Sequence, residues 1–126
     1  MARYAARALC ILTLDWLPPQ CLSPNSRVYR TERWAAVRAT REAIYWQVVK
    51  AQWPRQAKDG PRRRLTIHMT RPRLMDPDNA VALVKSVVDG VRQAGALHDD
   101  GERWLELVVT QAKGRAGMTL MLEELS

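Results

Sequence analysis

The stretch Arg71–Trp104, RPRLMDPDNAVALVKSVVDGVRQAGALHDDGERW, decides how the rest of the chain is read. Its five aspartates fall in three places: Asp76 and Asp78 on either side of a proline, Asp89 further along, and the pair Asp99 and Asp100. The spacing predicts a helix from about Pro77 to Ala94. At about 100° per residue, Val81, Val84, Val87, Val88 and Val91 share an arc of about 120°, the expected core face. Asp78, Lys85, Asp89 and Arg92 fall within about 60° of one another and make a polar stripe along its border. Such a margin holds charged groups by packing and leaves them within reach of solvent, which a site requires.

Ordinary structural roles are also open to these carboxylates. Asp76 before Pro77 suits a helix start, with the carboxylate capping free N–H groups and proline at the first helical position. Asp99-Asp100-Gly101 suits a turn. Charge weighs on the other side, because two aspartates two apart and a further adjacent pair repel one another unless a cation or arginines compensate. Mg²⁺, a hard cation that prefers carboxylate oxygen and water, fits that set.

Working outward, 126 residues suit one domain, 1–126, with a single core. The chain is 47% hydrophobic and 26% charged, which excludes the disordered and membrane classes. Cys10 and Cys21 lack metal-ligand spacing and are expected as free thiols in a reducing cytoplasm. The apolar run Leu9 to Leu14 soon meets Asp15 and is expected to be a strand, not a signal peptide. The net charge of +7 is unevenly spread: residues 1–73 hold 15 Lys/Arg against 4 Asp/Glu, whereas residues 74–126 hold 5 against 9. A basic half beside an acidic cluster is what phosphodiester chemistry on DNA needs, since the backbone must be drawn to a site that would otherwise repel it.

In chain order, RALCILTL (7–14) predicts a strand, and the proline-rich segment from Asp15 to Arg30 a loop. Thr31 to Trp53 predicts a long helix stopped by Pro54, with a core stripe of Trp34, Val37, the stem of Arg41, Ile44, Tyr45 and Val48. Trp34, Trp46 and Trp53 are expected to pack, since tryptophans at helical spacing more often pack than stack on bases. Residues 62–71 alternate as a half-buried strand, with His68 structural and Arg62, Arg63, Arg64, Arg71 and Arg73 around the approach to the aspartates. WLELVVTQ and MTLMLEEL are two more strands, expected to be joined as a hairpin through Gly114 and Gly117. The expected class is α+β: a small mixed sheet with two helices in the order βαβαββ.

The central stretch resembles the RusA-type Holliday-junction resolvases, whose pattern is Asp-x-Asp-Asn opening a helix, a lysine and an aspartate within it, then Ala-Gly and an Asp-Asp pair. Here these are Asp76, Asp78, Asn79, Lys85, Asp89, Ala94, Gly95, Asp99 and Asp100. Lys85 stands about one helical turn further from Asp78 than the lysine of the best-known members. The resemblance implies Asp76, Asp78 and Asp100 as Mg²⁺ ligands, with Mn²⁺ as a substitute, Lys85 as the catalytic or phosphate-binding lysine, and supporting roles for Asp89, Asp99 and Asn79. It further implies a cytoplasmic, two-fold homodimer, with no membrane partner, that cuts branched DNA such as four-way junctions in recombination and repair. Arg27 and Arg30 in the proline-rich loop, with Arg62, Arg63, Arg64, Arg71 and Arg73, are the expected DNA contacts. The alternatives are a basic nucleic-acid binder that does not cut, whose aspartates are caps and turns, and an Asp-x-Asp phosphotransferase.

Distance adds one more expectation. Sixteen steps of continuous helix from Asp78 to Ala94 span about 24 Å. The chain from Gly95 to Asp100 recovers at most about 20 Å, and only if it runs straight back. Asp100 is therefore expected to complete the site of a partner chain.

Overall fold

The computed structural model describes residues 5–19 and 30–126, and among them the chain forms one four-stranded sheet with its helices on one face. The elements are β1 (Ala6–Leu14), α1 (Arg30–Lys50), β2 (Arg63–Arg71), α2 (Pro77–Leu83), α3 (Lys85–Gln93), β3 (Leu105–Lys113) and β4 (Gly117–Leu125). Arg27 and Cys21 lie outside the described residues. The α+β class is as expected, with the central helix in two pieces.

Alternation along β2 shows which face of the sheet is covered. Arg63, Leu65, Ile67, Met69 and Arg71 are buried, while Arg64, Thr66, His68 and Thr70 between them are half-buried. Leu65 and Ile67 meet Leu122 and Leu120 of β4 across the ladder, and the same face carries Leu107 and Val109 of β3. Ile44 and Val48 of α1 and Val84, Val87 and Val91 join them in one core. Each such side chain, fully buried, stabilises the fold by about 1.5–3 kcal/mol before chain entropy is counted.

The expected hairpin is not formed. The strand order is β1-β4-β2-β3, so β4 lies between β1 and β2 and is antiparallel to both, and β2 runs parallel to β3. The glycine-marked link must therefore cross the end of β2, a step of two strand spacings, about 10 Å, which three or four extended residues can span. Its path is fixed by Gly114 N–H donating to the Arg71 carbonyl (3.1 Å) and Thr70 Oγ1 donating to the Arg115 carbonyl (2.7 Å).

Two helical expectations are also corrected. In α1 the buried residues are Thr40, Ile44 and Val48, whereas Trp34 and Trp46 are 57% and 59% exposed; of the three tryptophans only Trp53 is buried. In the central helix Ala80 and Leu83 are buried and Val81 is 48% exposed, so the core arc is centred further from the polar stripe than the valines suggested. The helix is interrupted at Val84 (φ −89°, ψ 3°). Val84 N–H still reaches the Ala80 carbonyl, and Val88 N–H the Val84 carbonyl, so the axis continues past the break.

Close packing of α3 on α1 depends on Gly90. A Cβ there would lie 2.7 Å from the Arg41 carbonyl oxygen and 2.8 Å from Ile44 Cβ, so only glycine lets the two backbones approach this closely. Gly95, at φ +90°, ends α3 where the sequence expects a stop.

Candidate functional site

The approach to α2 is fixed from both sides. Gln111 on β3 accepts the Met75 N–H (3.1 Å) and donates to the Met75 carbonyl (2.6 Å). Arg71, buried at the end of β2, donates from Nε to the Arg73 carbonyl (2.9 Å) and from a terminal nitrogen to Met75 Sδ (3.0 Å). Asp76 and Asp78, both exposed, therefore stand at a defined place, with Pro77 at the first helical position as expected. The Asp76 carboxylate makes no capping hydrogen bond, so its structural role as a cap is not taken up.

The loop after α3 is held equally firmly, and by a residue the sequence did not single out. Gln56, 2% exposed, donates from its amide nitrogen to the carbonyls of Pro61 and Trp104, both at 3.0 Å, and accepts the His98 N–H at 2.7 Å. Its own backbone N–H donates to the Gly95 carbonyl, and Trp104 Nε1 donates to the Lys58 carbonyl (2.7 Å). Within the loop, Asp99 accepts the Asp100 N–H at 2.8 Å, and this bond, more than any other influence, holds the Asp99 carboxyl below its usual range. Asp99 is thus a turn former, while Asp100 is exposed.

Between this loop, β3 and the α2–α3 stripe lies a cleft of about 430 Å³, lined by Lys85, Asp89, Asp100, Glu102, Leu105 and Leu107, with Val81 and Ala82 at its edge. Held by Gln56 and Trp104, the loop brings Asp100 to the same cleft as Lys85 and Asp89 of its own chain, while neither Asp76 nor Asp78 lines that cleft. Asp78 lies four residues before Ala82, about 6 Å along the axis and on the same stripe. Among the described residues no three His, Cys, Asp or Glu side chains are close enough together to hold a metal ion. Glu102 is a cleft residue the sequence reading missed; its place beside the Asp-Asp pair was the available signal.

A second cleft, of about 530 Å³, lies on the other side of the stripe, against α1. Arg30, Arg33, Trp34 and Arg41 line it from α1, and Lys85, Ser86 and Asp89 from the central helices. Arg30, Arg33 or Trp34, Val37 and Arg41 follow one another at three and four residues, a helical stripe; of these, Trp34, Val37 and the stem of Arg41 are the ones expected in the core, and Trp34 lies instead at this cleft.

The expected DNA-contacting arginines separate by environment. Arg63 is corrected: it is 5% exposed and donates to the carbonyls of Pro54 (2.5 Å), Ala96 (2.8 Å) and Arg55 (3.1 Å), so its fork is used in tying the fold together. Arg71 is corrected likewise, being buried and bonded as described above. Arg64 lies on the face of the sheet away from the helices, paired with its cross-strand neighbours Glu106 (3.2 Å) and Glu123 (3.6 Å). Arg62 is half-buried and donates to the Leu105 carbonyl (3.2 Å). Arg30 and Arg73 are exposed, as a phosphate contact requires.

His68 bonds Thr110 Oγ1 through Nδ1 (2.7 Å) on the sheet's open face, in keeping with a structural role. Burial pushes the Cys10 thiol up to about 11, against a smaller opposing pull from Arg63. No helix of the described residues is long and apolar enough to cross a membrane.

The chain matches no known family model, and no curated protein matches it.

Proposed function

We propose that the protein is a Mg²⁺-dependent, structure-specific DNA endonuclease of the RusA resolvase type. The observation that carries the proposal is the cleft in which Asp100 and Glu102 face the Lys85–Asp89 stripe, beside a second cleft rich in arginine. The carboxylates suit Mg²⁺ in kind, and Mg²⁺ is commonly held by one or two carboxylates together with water and substrate phosphate, so a three-carboxylate cage is not required. Asp89 and Asp100 are the residues that would hold it within one chain, with Asp78 eleven residues before Asp89, about three turns or 16 Å along the stripe, and Asp76 beyond it. When bound, the metal would supply an activated water and neutralise charge on the phosphate.

The chain's own residues do the rest. Lys85, exposed at the rim shared by both clefts, places a positive charge where a phosphate would enter. Leu105 and Leu107 give the carboxylate cleft an apolar wall, which strengthens the electrostatic interactions inside it. Arg30 and Arg73 attract the DNA backbone from outside.

Cleavage of four-way junction, fork, linear duplex and single strand, each with Mg²⁺ and with EDTA, tests the proposal. Metal-dependent nicking of the junction is expected. Binding without cutting under all conditions would favour the alternative of a nucleic-acid binder.

The RusA resemblance adds a homodimer that cuts two symmetric strands. Asp100 shares a cleft with Lys85 and Asp89 of its own chain but not with Asp76 or Asp78, so a site within one protomer and a site completed across the dimer make different predictions. Refolding Asp78→Asn and Asp100→Asn subunits together decides the point: self-contained sites give an inactive heterodimer, whereas shared sites leave one intact site that nicks one strand.

A further inference from the structure

The arginine-lined cleft between α1 and the central helices has features that electrostatic attraction to a duplex does not need. Trp34 is 57% exposed and lines it, an unusual position for the largest apolar side chain. Around it stand four cations, Arg30, Arg33, Arg41 and Lys85, against one carboxylate, Asp89. Ser86, 4% exposed, lines the same cleft, and its buried hydroxyl has no hydrogen-bond partner among the described residues. A buried hydroxyl without a partner is destabilising, and a ligand acceptor or donor reaching the cleft floor would remove that cost. An indole face, flanking guanidiniums and an unpaired hydroxyl together suit one chemical object: an unstacked nucleotide, with its base on the indole and its phosphates among the cations.

We infer that this cleft binds a single-stranded segment of DNA, with one base stacked on Trp34. The inference rests on the DNA reading above and goes beyond it, because it assigns recognition of unpaired DNA to a surface separate from the carboxylate cleft. Lys85 and Asp89 lie between the two clefts, so a strand anchored on Trp34 would lead its neighbouring phosphate to the carboxylates. Branched DNA offers unpaired or easily unpaired bases at its crossover, where unstacking costs least.

The test is equilibrium binding, in EDTA, of a short fluorescein-labelled oligothymidylate and of a blunt duplex to the wild type and to Trp34→Ala, Trp34→Phe, Ser86→Ala and Trp46→Ala. Loss of one stacking contact predicts that Trp34→Ala weakens oligothymidylate binding about tenfold or more. Duplex binding should change little, and Trp34→Phe should retain most of the affinity. Ser86→Ala is expected to weaken the oligothymidylate complex while leaving the melting temperature unchanged or higher, which separates a binding role from a structural one. Trp46, exposed on the same helix outside this cleft, serves as the control and should have no effect. Wild-type affinity in Trp34→Ala, equal losses for Trp34→Ala and Trp46→Ala, no oligothymidylate binding by the wild type, or equally tight binding of a polyglutamate peptide would each overturn the inference. No cleavage is needed, so a protein that binds through Trp34 but never nicks would lose only the endonuclease proposal. One that nicks but is indifferent to Trp34 would lose only this one.

Discussion

The two clefts share a wall but differ in what they present. On the β3 side the stripe faces Asp100 and Glu102 and an apolar floor of Leu105 and Leu107; on the α1 side it faces Arg30, Arg33, Arg41 and Trp34. Lys85 and Asp89 belong to both. One helical stripe can thus serve two kinds of chemistry, because each flank draws its partners from a different neighbouring element. The contrast also shows why net charge alone misleads: the basic half of the chain supplies one cleft, the acidic half the other, and the fold sets them side by side.

If that division of labour is correct, the largest effect outside the carboxylates should come from Lys85, where the clefts meet. Lys85→Ala should reduce single-turnover junction cleavage by about 100-fold, as removal of one charge-stabilising donor does elsewhere, with a smaller loss of binding. Equal losses in both would place Lys85 in binding alone.

Next in size are changes to what holds the clefts apart. Arg63→Ala removes the buried guanidinium that donates to three carbonyls and should cost about 2–4 kcal/mol in chemical denaturation. Gly90→Ala would force a methyl against the Arg41 carbonyl and Ile44, costing about 1–3 kcal/mol and widening the α1–α3 contact. Oligothymidylate binding is expected to suffer in Gly90→Ala even under conditions where the variant is fully folded. A stable Arg63→Ala protein with a selective DNA-binding defect would contradict the structural role given to that residue.

The smallest effects should come from the outer arginines. Arg73→Ala should lower the slope of log affinity against log salt by about one unit if it contacts one phosphate. Arg64→Ala should leave the slope nearly unchanged, since Arg64 faces Glu106 and Glu123 on the far side of the sheet.

Much of this was legible in the chain, for reasons that can be stated residue by residue. The period-two alternation at Leu65, Ile67 and Met69 gave β2, and the seven-, four- and three-residue spacing of Asp78, Lys85, Asp89 and Arg92 gave the stripe, because both depend only on local geometry. Strand order was not legible: glycines at 114 and 117 read as a hairpin, and nothing local reveals that β4 pairs beside β1 and β2 instead of β3. The RRR run was misread because two adjacent strand residues point to opposite faces, so Arg63 enters the interior while Arg64 does not. Trp34 was assigned to the core by the usual behaviour of tryptophan, although its spacing with Arg30, Arg33 and Arg41 marked a polar face. The position of the loop that carries Asp100 depends on Gln56, a single glutamine in a breaker-rich link, and no sequence rule singles it out.

The most direct test of the carboxylate cleft as the place of phosphodiester cleavage is to measure nicking and binding of a four-way junction together, for the wild type and Asp100→Asn. The wild type should nick with Mg²⁺ and not with EDTA. Asp100→Asn should bind the junction as tightly or more tightly, since one negative charge near the phosphate is gone, yet nick it on the order of 10²-fold more slowly or not at all. Nicking by Asp100→Asn at the wild-type rate, or no nicking by the wild type on any branched substrate with Mg²⁺, would contradict the account.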